Sequence, residues 1–243
     1  MTTDAPDFSL AGKRALVTGS TQGIGRAIAR AFRTHGASVF SHGIEPNADT
    51  APYFRADLSE PGGADALADA VLRAWEGVDI LVLNAAIQVR AAWDAVAEAD
   101  VERQMRANFA AGYALIRRFA PAMRAQGWGR IIAIGSVQEI KEHPEMAVYA
   151  ASKAAQSSLA RNLARQFARD GVTVNVLSPG AVETARNRDA LADPAYRAKV
   201  EAAIPAGRIG TAADCAGAAV FLASPAARYV TGTTLRVDGG MHL

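Results

Sequence analysis

Short apolar, β-rich runs alternate with longer stretches of helical periodicity along most of the chain. Arg14–Thr18 reads as a strand, followed by a helix from Gly23 to about His35. Ala37–His42 and the short Pro52–Ala56 read as further strands, and a helix from about Gly63 to Glu76 leads into the strand Asp79–Leu83. Glu98 to about Gln126 predicts a long helix, Gly129–Gly135 a strand, Ala147–Asp170 a second long helix and Val172–Leu177 a strand. Pro194–Ala203 predicts a small helical excursion, Ala212–Ala223 a helix and Thr233–Val237 the last strand. The strands are almost wholly apolar, as expected where helices cover both faces of a parallel sheet. With no repeat or linker in view, the pattern predicts one doubly wound α/β domain over residues 1–243, with about seven parallel strands.

One link is short. Between the second strand and Asp57 lies Gly43-Ile-Glu-Pro-Asn-Ala-Asp-Thr-Ala-Pro52, rich in Pro, Asn and Asp. A βαβ crossover normally needs a dozen or more residues, so a turn-rich loop is expected to replace a full helix here.

Composition narrows the function classes. Half of the 243 residues are apolar and 21% are charged, with a formal net charge of only +2. No basic run or aromatic-basic patch suggests nucleic acid, and no apolar run is long enough to span a bilayer. The N-terminal residues lack a basic segment followed by an apolar one, so no secretory signal is expected. The only cysteine, Cys215, excludes an internal disulfide and suits a reducing cytoplasm. It sits in an Ala-rich helix with no His beside it, which favours a buried core thiol over a nucleophile. The four His are scattered without ligand spacing, so no metal is expected.

Two segments carry candidate chemistry. Tyr149-Ala-Ala-Ser-Lys153 sets a phenol and an ammonium group four residues apart, hence on one face of a helix. Free tyrosine ionises near pH ~10, and a neighbouring cation brings that value toward the working range. The pair is therefore a candidate acid–base device. Thr18-Gly19-Ser-Thr21-Gln22-Gly23-Ile24-Gly25 lies between the first strand and first helix. Glycines there permit a tight turn and close approach of a pyrophosphate to the positive helix N-terminus.

The chain resembles the short-chain dehydrogenase/reductase family almost end to end. The resemblance rests on the T-G-x-x-x-G-I-G loop, Asp57, Leu83-Asn84-Ala85-Ala86, Asn108, Ser136, Tyr149 with Lys153, Asn175, Pro179-Gly180, Thr231-Gly232 and Val237-Asp-Gly-Gly240, in order and register. It implies a Rossmann-like fold and hydride transfer between nicotinamide and a carbonyl or alcohol carbon. Tyr149 is then the proton donor and acceptor, Lys153 its pKa-lowering neighbour and a ribose ligand. Ser136 is the hydrogen bond to the substrate oxygen, and Asn108 places a water linking Lys153 to solvent. Cofactor contacts are implied for Gly19, Thr21, Gln22, Gly23, Ile24, Gly25, Asp57, Leu58, Asn84, Ala85, Ala86, Tyr149, Lys153, Pro179, Gly180, Val182 and Thr184. Val182 is expected to offer its backbone to the carboxamide.

Two departures from the family pattern matter. The N-A-G motif reads Asn84-Ala85-Ala86, and Gly43 stands where NAD-preferring relatives place a carboxylate for the ribose 2′-hydroxyl. That favours NADP(H) over NAD(H). The usual basic residues are missing, leaving His42 and Ser41 as candidate phosphate contacts, although His42 reads equally as a strand-end surface residue. On the substrate side, Val137-Gln-Glu-Ile-Lys-Glu-His-Pro-Glu-Met146 is strongly polar. Gln88, Gln138, His143, Arg186 and Arg188 are candidate hydrogen-bonding groups there, with Ser136 and Tyr149 at the reacting carbon. They favour a small polyhydroxy compound such as a sugar, sugar acid or polyol, or else simply face water. The runner-up activity is reduction of a 3-oxoacyl group on an acyl-carrier protein, with Arg118 or Arg161 docking the acidic carrier. A substrate loop over about 184–205 and a homotetramer paired through the two long helices complete what the resemblance implies.

Overall fold

The protein is described from a computed structural model, over residues 7–45 and 52–243. β1 (Arg14–Val17) passes through a glycine turn into α1 (Gly23–Thr34), then β2 (Ser38–Gly43) and β3 (Tyr53–Arg55). α2 (Gly63–Trp75), β4 (Ile80–Leu83), α3 (Glu98–Met105), α4 (Ala111–Ala125), β5 (Gly129–Ile134), α5 (Ala147–Phe167) and β6 (Val172–Pro179) follow. β7 (Val182–Glu183), α6 (Arg188–Leu191), α7 (Pro194–Ala202), β8 (Gly210–Thr211), α8 (Ala212–Ala223) and β9 (Thr234–Val237) complete the chain. The strands anticipated from the apolar runs all form. The link predicted between Gly43 and Pro52 lies largely outside the described residues.

Seven strands make one sheet in the order β3-β2-β1-β4-β5-β6-β9, every neighbour parallel. Alternate strand residues serve opposite faces. Leu16, Leu81, Ile131 and Val174 pack under α2, α4 and α5 with Leu67, Leu115, Phe119 and Phe167. Ala15, Val17, Ile80 and Ile132 pack under α1 and α8 with Ile28, Phe32, Val220 and Leu222. Each fully buried Val, Leu, Ile or Phe among them contributes roughly 1.5–3 kcal/mol of apolar transfer free energy. Cys215 sits among them, 0% exposed, and burial pushes its thiol up to about 12. The core-thiol reading therefore holds.

Strand order reverses between β1 and β4. In a doubly wound sheet the ligand crevice opens at that reversal, beyond the carboxyl ends of the strands. The long helix expected over Glu98–Gln126 is continuous but not uniform, because Arg106–Ala110 widens into a π-helical turn centred on Asn108. A small second sheet pairs β7 with β8 and holds the excursion of α6 and α7, whose Leu191, Ile204 and Ile209 form their own apolar cluster with Met241. No helix among the described residues is long and apolar enough to cross a membrane.

Candidate active site at the reversal of the sheet

The glycine loop is tied to the sheet before any ligand is considered. The Thr18 hydroxyl accepts the N–H of Asn84 (2.9 Å) and of Ala85 (3.0 Å) and donates to Val82 O (3.2 Å). In return, the Asn84 amide donates to Thr18 O and Gly19 O, both at 2.9 Å. A Cβ on Gly19 would lie 2.9 Å from Ala85 Cα, and one on Gly25 would collide with Gly19 O. These glycines are thus required by the close approach of loop, helix and β4. Beyond them α1 begins on Gln22 with no side-chain cap and no acidic residue in its first turn. A twelve-residue helix whose first N–H groups are uncapped and uncountered by carboxylates fits a pyrophosphate.

His42 plays a different part from the phosphate contact anticipated for it. Its ring is 2% exposed, with Nδ1 accepting the N–H of Gly19 (3.1 Å) and Nε2 donating to Ala56 O (3.0 Å). Burial lowers its pKa to about 4, so the ring is neutral and carries no charge for a phosphate. Ser41 is likewise withdrawn: it is fully buried, and its hydroxyl accepts Arg33 Nη2 at 2.9 Å. The sequence alternatives for His42, surface residue or phosphate ligand, both give way to a brace between β2, β3 and the glycine loop. A cation at the end of β2 is Arg55, which pairs in register with Gly43 and donates from Nε to Ile44 O (2.7 Å). A side chain on Gly43 would collide with Thr21. Asp57 holds Ser59 through Oδ1 at 2.8 and 2.7 Å. Burial works against its charge, but these bonds outweigh that and keep the carboxyl below its usual value.

Three elements bring the expected catalytic residues together. Ser136 ends β5, Tyr149 and Lys153 rise from the first turns of α5, and Asn108 comes from the π-helical turn. Tyr149 is 6% exposed and Lys153 1% exposed. Burial raises the Tyr149 pKa, opposed by Arg186 and by the Ser136 hydrogen bond, while Glu139 adds to the rise. Burial lowers that of Lys153 to about 7, Arg186 acting in the same direction and Glu139 against it. The Lys153 ammonium donates to Ile134 O (2.8 Å) and Gln156 Oε1 (3.3 Å), and the Arg186 guanidinium also acts on the phenol. Asn108 is held by its side chain: Oδ1 accepts Ile87 N (2.8 Å), and Nδ2 donates to Ile87 O and Ser152 Oγ (both 2.9 Å). Its side chain clamps the segment after β4 onto α5.

The segment after β7 folds back over this floor. Thr184 packs against Gly23, where a Cβ would sit 3.4 Å from its methyl group. Asn187 fixes the turn, accepting the Thr184 N–H (2.9 Å) and donating to Val182 O (2.8 Å), so the Val182 carbonyl already holds a donor. Arg186 reaches Ala86 O (2.8 Å) as well as the phenol, joining the Asn84 motif to Tyr149. At the sheet end of this segment Gly180, following Pro179, donates to Val237 O (3.1 Å). Nearby, Gln88 Nε2 meets Met146 Sδ (3.5 Å), and Gln138 Oε1 is buried with no hydrogen-bond partner among the described residues. His143 Nδ1 accepts Glu145 N (3.2 Å); burial lowers its pKa, helped by Arg90 and Lys199 and opposed by Glu145. Among the described residues no cluster of His, Cys, Asp and Glu could hold a metal ion.

Sequence reasoning passed over Glu139 and Arg55. For Glu139 a signal existed, since Ser136-x-x-Glu139 just after a strand is the capping-box pattern, and the box is complete in the structure. For Arg55 none did, because its position follows from parallel register rather than spacing.

Comparison with known proteins assigns the arrangement to a class. A family model described as enoyl-(acyl carrier protein) reductase matches residues 19–242. The 3beta-hydroxysteroid dehydrogenase 1 of Eggerthella lenta is 40% identical over 96% of this chain and 95% of its own length. The solved 3-oxoacyl (acyl-carrier-protein) reductase of Agrobacterium tumefaciens with NADP bound superposes with a TM-score of 0.91 at 38% identity, covering 96% of this chain and 95% of that one. A gluconate 5-dehydrogenase of Burkholderia cenocepacia in complex with NADP and tartrate gives 0.88 at 37% identity, covering 96% of each. The chain belongs to the short-chain dehydrogenase/reductase family. It is an NAD(P)-dependent oxidoreductase acting on CH–OH groups.

Proposed function

We propose that the enzyme interconverts a secondary alcohol and a ketone on a small polyhydroxy compound, with a sugar acid as the best fit and NADP(H) as cofactor. One pair of observations carries the substrate reading: the Arg186 guanidinium stands at the Tyr149 phenol, and Gln138, in the turn after Ser136, keeps an Oε1 without a partner among the described residues. A carboxylate answers the first and a hydroxyl the second, and an apolar substrate leaves both unmatched. The likeness to a gluconate 5-dehydrogenase points the same way.

Bound nicotinamide supplies or accepts the hydride. Tyr149 gives its proton to the forming alkoxide, or takes it from the alcohol in oxidation. Ser136 hydrogen-bonds the same oxygen and stabilises charge that develops there. Lys153 holds the cofactor ribose, and the Asn108 backbone carbonyl places a water between Lys153 and solvent. The uncapped start of α1, with Gly19 to Gly25, takes the pyrophosphate, Asp57 and Leu58 the adenine, and Pro179, Gly180, Val182 and Thr184 the nicotinamide end. The preference for NADP(H) rests on Gly43, which offers no carboxylate, on the Arg55 guanidinium beside it, and on the NADP held by relatives. Residues 1–243 act as one domain, with 184–205 as its substrate loop and Arg188 in it. A cytoplasmic homotetramer paired through α4 and α5 completes the reading, and light scattering giving a monomer mass would overturn the assembly.

The runner-up is 3-oxoacyl-carrier reduction, the activity of a structurally similar reductase. Against it, Arg118 is already paired with Asp65 (3.5 Å) and Asp69 (2.5 Å) and is a poor dock for an acidic carrier. Sugar acids, polyols and acetoacetyl thioesters assayed in parallel with NAD(H) and NADP(H) separate the two. Polyhydroxy acids with NADP(H) are expected to turn over fastest, and preference for the thioester would reject this reading. Tyr149→Phe is expected to lose at least about a hundredfold in turnover while still binding NADPH. Retained turnover would remove Tyr149 from the chemistry.

A further inference from the structure

We propose that Glu139 is a positioning residue of the reaction: its carboxylate fixes Ser136 from the backbone side and sets the charge around Tyr149 and Lys153. The inference rests on Tyr149 being the acid–base group. Glu139 ends a 3-10 turn, Val137–Glu139, that follows β5 directly. Its Oε1 accepts the Ser136 N–H at 2.8 Å, while the Ser136 hydroxyl accepts the Gln138 N–H at 3.2 Å. Ser136 is thereby gripped at two atoms, one of them its own Oγ, within three residues of chain. The carboxylate lies close against the strand end, since a Cβ on Gly135 would come within 2.5 Å of Glu139 Oε1 and 2.8 Å of Val176 Cγ1. Any other residue at 135 would push the carboxylate away from Ser136.

A charge held at that place also acts on the pair beyond it. Two groups of opposite sign face Tyr149 and Lys153 alike, Glu139 from the turn after β5 and Arg186 from the loop after β7. Lys153 lies one helical turn along α5 from the phenol, with its ammonium on Ile134 O and Gln156. Glu139 favours the protonated form of both groups and Arg186 the deprotonated form. Neutralising Glu139 therefore makes the phenol easier to ionise and the ammonium easier to discharge.

Glu139→Gln keeps an oxygen for the Ser136 N–H and removes only the charge. In alcohol oxidation Tyr149 must be deprotonated to take the hydroxyl proton. Both limbs of the pH profile of kcat/KM are thus expected to move to lower pH, by about half a unit or more. Ultraviolet difference titration of the apoprotein, with Tyr149→Phe as the blank, should show the same shift in the phenol. Glu139→Asp keeps the charge and is expected to keep the wild-type pH profile while losing turnover, because its shorter side chain does not reach Ser136. An unmoved or upward-moved profile in Glu139→Gln, or an equal shift in Glu139→Asp, overturns the proposal. Full turnover in Tyr149→Phe would instead overturn the acid–base reading beneath it.

Discussion

Around the glycine loop, Thr18, Asn84 and His42 give their side-chain hydrogen bonds to the protein's own backbone. Across the cleft, Gln138 buries an oxygen with no partner, and Arg186 spans from Ala86 O to the phenol. On the cofactor side these braces close within the protein, and the uncapped start of α1 is what a ligand completes. The substrate side keeps one buried acceptor, Gln138 Oε1, without a partner among the described residues. Buried polar groups stabilise when paired and cost free energy when not. Deleting a polar group should therefore destabilise one side, while on the other it weakens binding and leaves the fold no worse.

His42 provides the largest break. Its ring is held neutral by burial, with a pKa near 4 in the folded protein against 6.5 for a free imidazole. A depressed histidine favours the folded state only while neutral. Its contribution is complete above about pH 6.5 and is lost as pH falls toward 4, where the folded ring must charge. The loss amounts to about 3 kcal/mol across that window. Urea unfolding at stepped pH should show the decline, and His42→Gln should flatten it. A decline of equal size in His42→Gln would assign the effect to other groups.

Thr18→Val is next in size. The shape is preserved, but the N–H groups of Asn84 and Ala85 lose their acceptor in a position where Thr18 is 1% exposed. A loss of about 2 kcal/mol in unfolding free energy is expected, with weakened NADPH binding measured by fluorescence titration. Unchanged stability would mean that the link between β1 and β4 does not depend on this hydroxyl.

These two sides were not equally legible in the sequence. Apolar strand runs and the glycine spacing reported the sheet and the loop because both are local patterns. The Tyr149–Lys153 spacing reported that both groups share a helix face, but not that Lys153 turns to Ile134 O, a contact set by the third dimension. His42 was misread because its partners, Gly19 and Ala56, lie far away in sequence and meet it only through parallel register. The π-helical turn at Asn108 has no composition of its own; it follows from an amide that must reach both Ile87 and Ser152. Arg186 was readable as a polar substrate candidate, whereas its reach across to Ala86 depends on the fold-back of the segment after β7.

Gln138→Leu is the smallest change and the sharpest test of the contrast. Leucine of similar size removes the unpartnered Oε1, so no internal hydrogen bond of that atom is lost and the unfolding free energy should hold or rise slightly. A substrate hydroxyl that donates to Gln138 would lose one neutral hydrogen bond, worth about 1.4 kcal/mol or tenfold in KM. The turnover number should stay near wild type, because the bond forms away from the reacting carbon and is made equally in the ground and transition states. A small ketone lacking hydroxyls should show no change in either constant. If instead KM for a polyhydroxy acid is unmoved while stability falls, Gln138 belongs to the scaffold. The polar character of this wall would then no longer support a hydroxylated substrate.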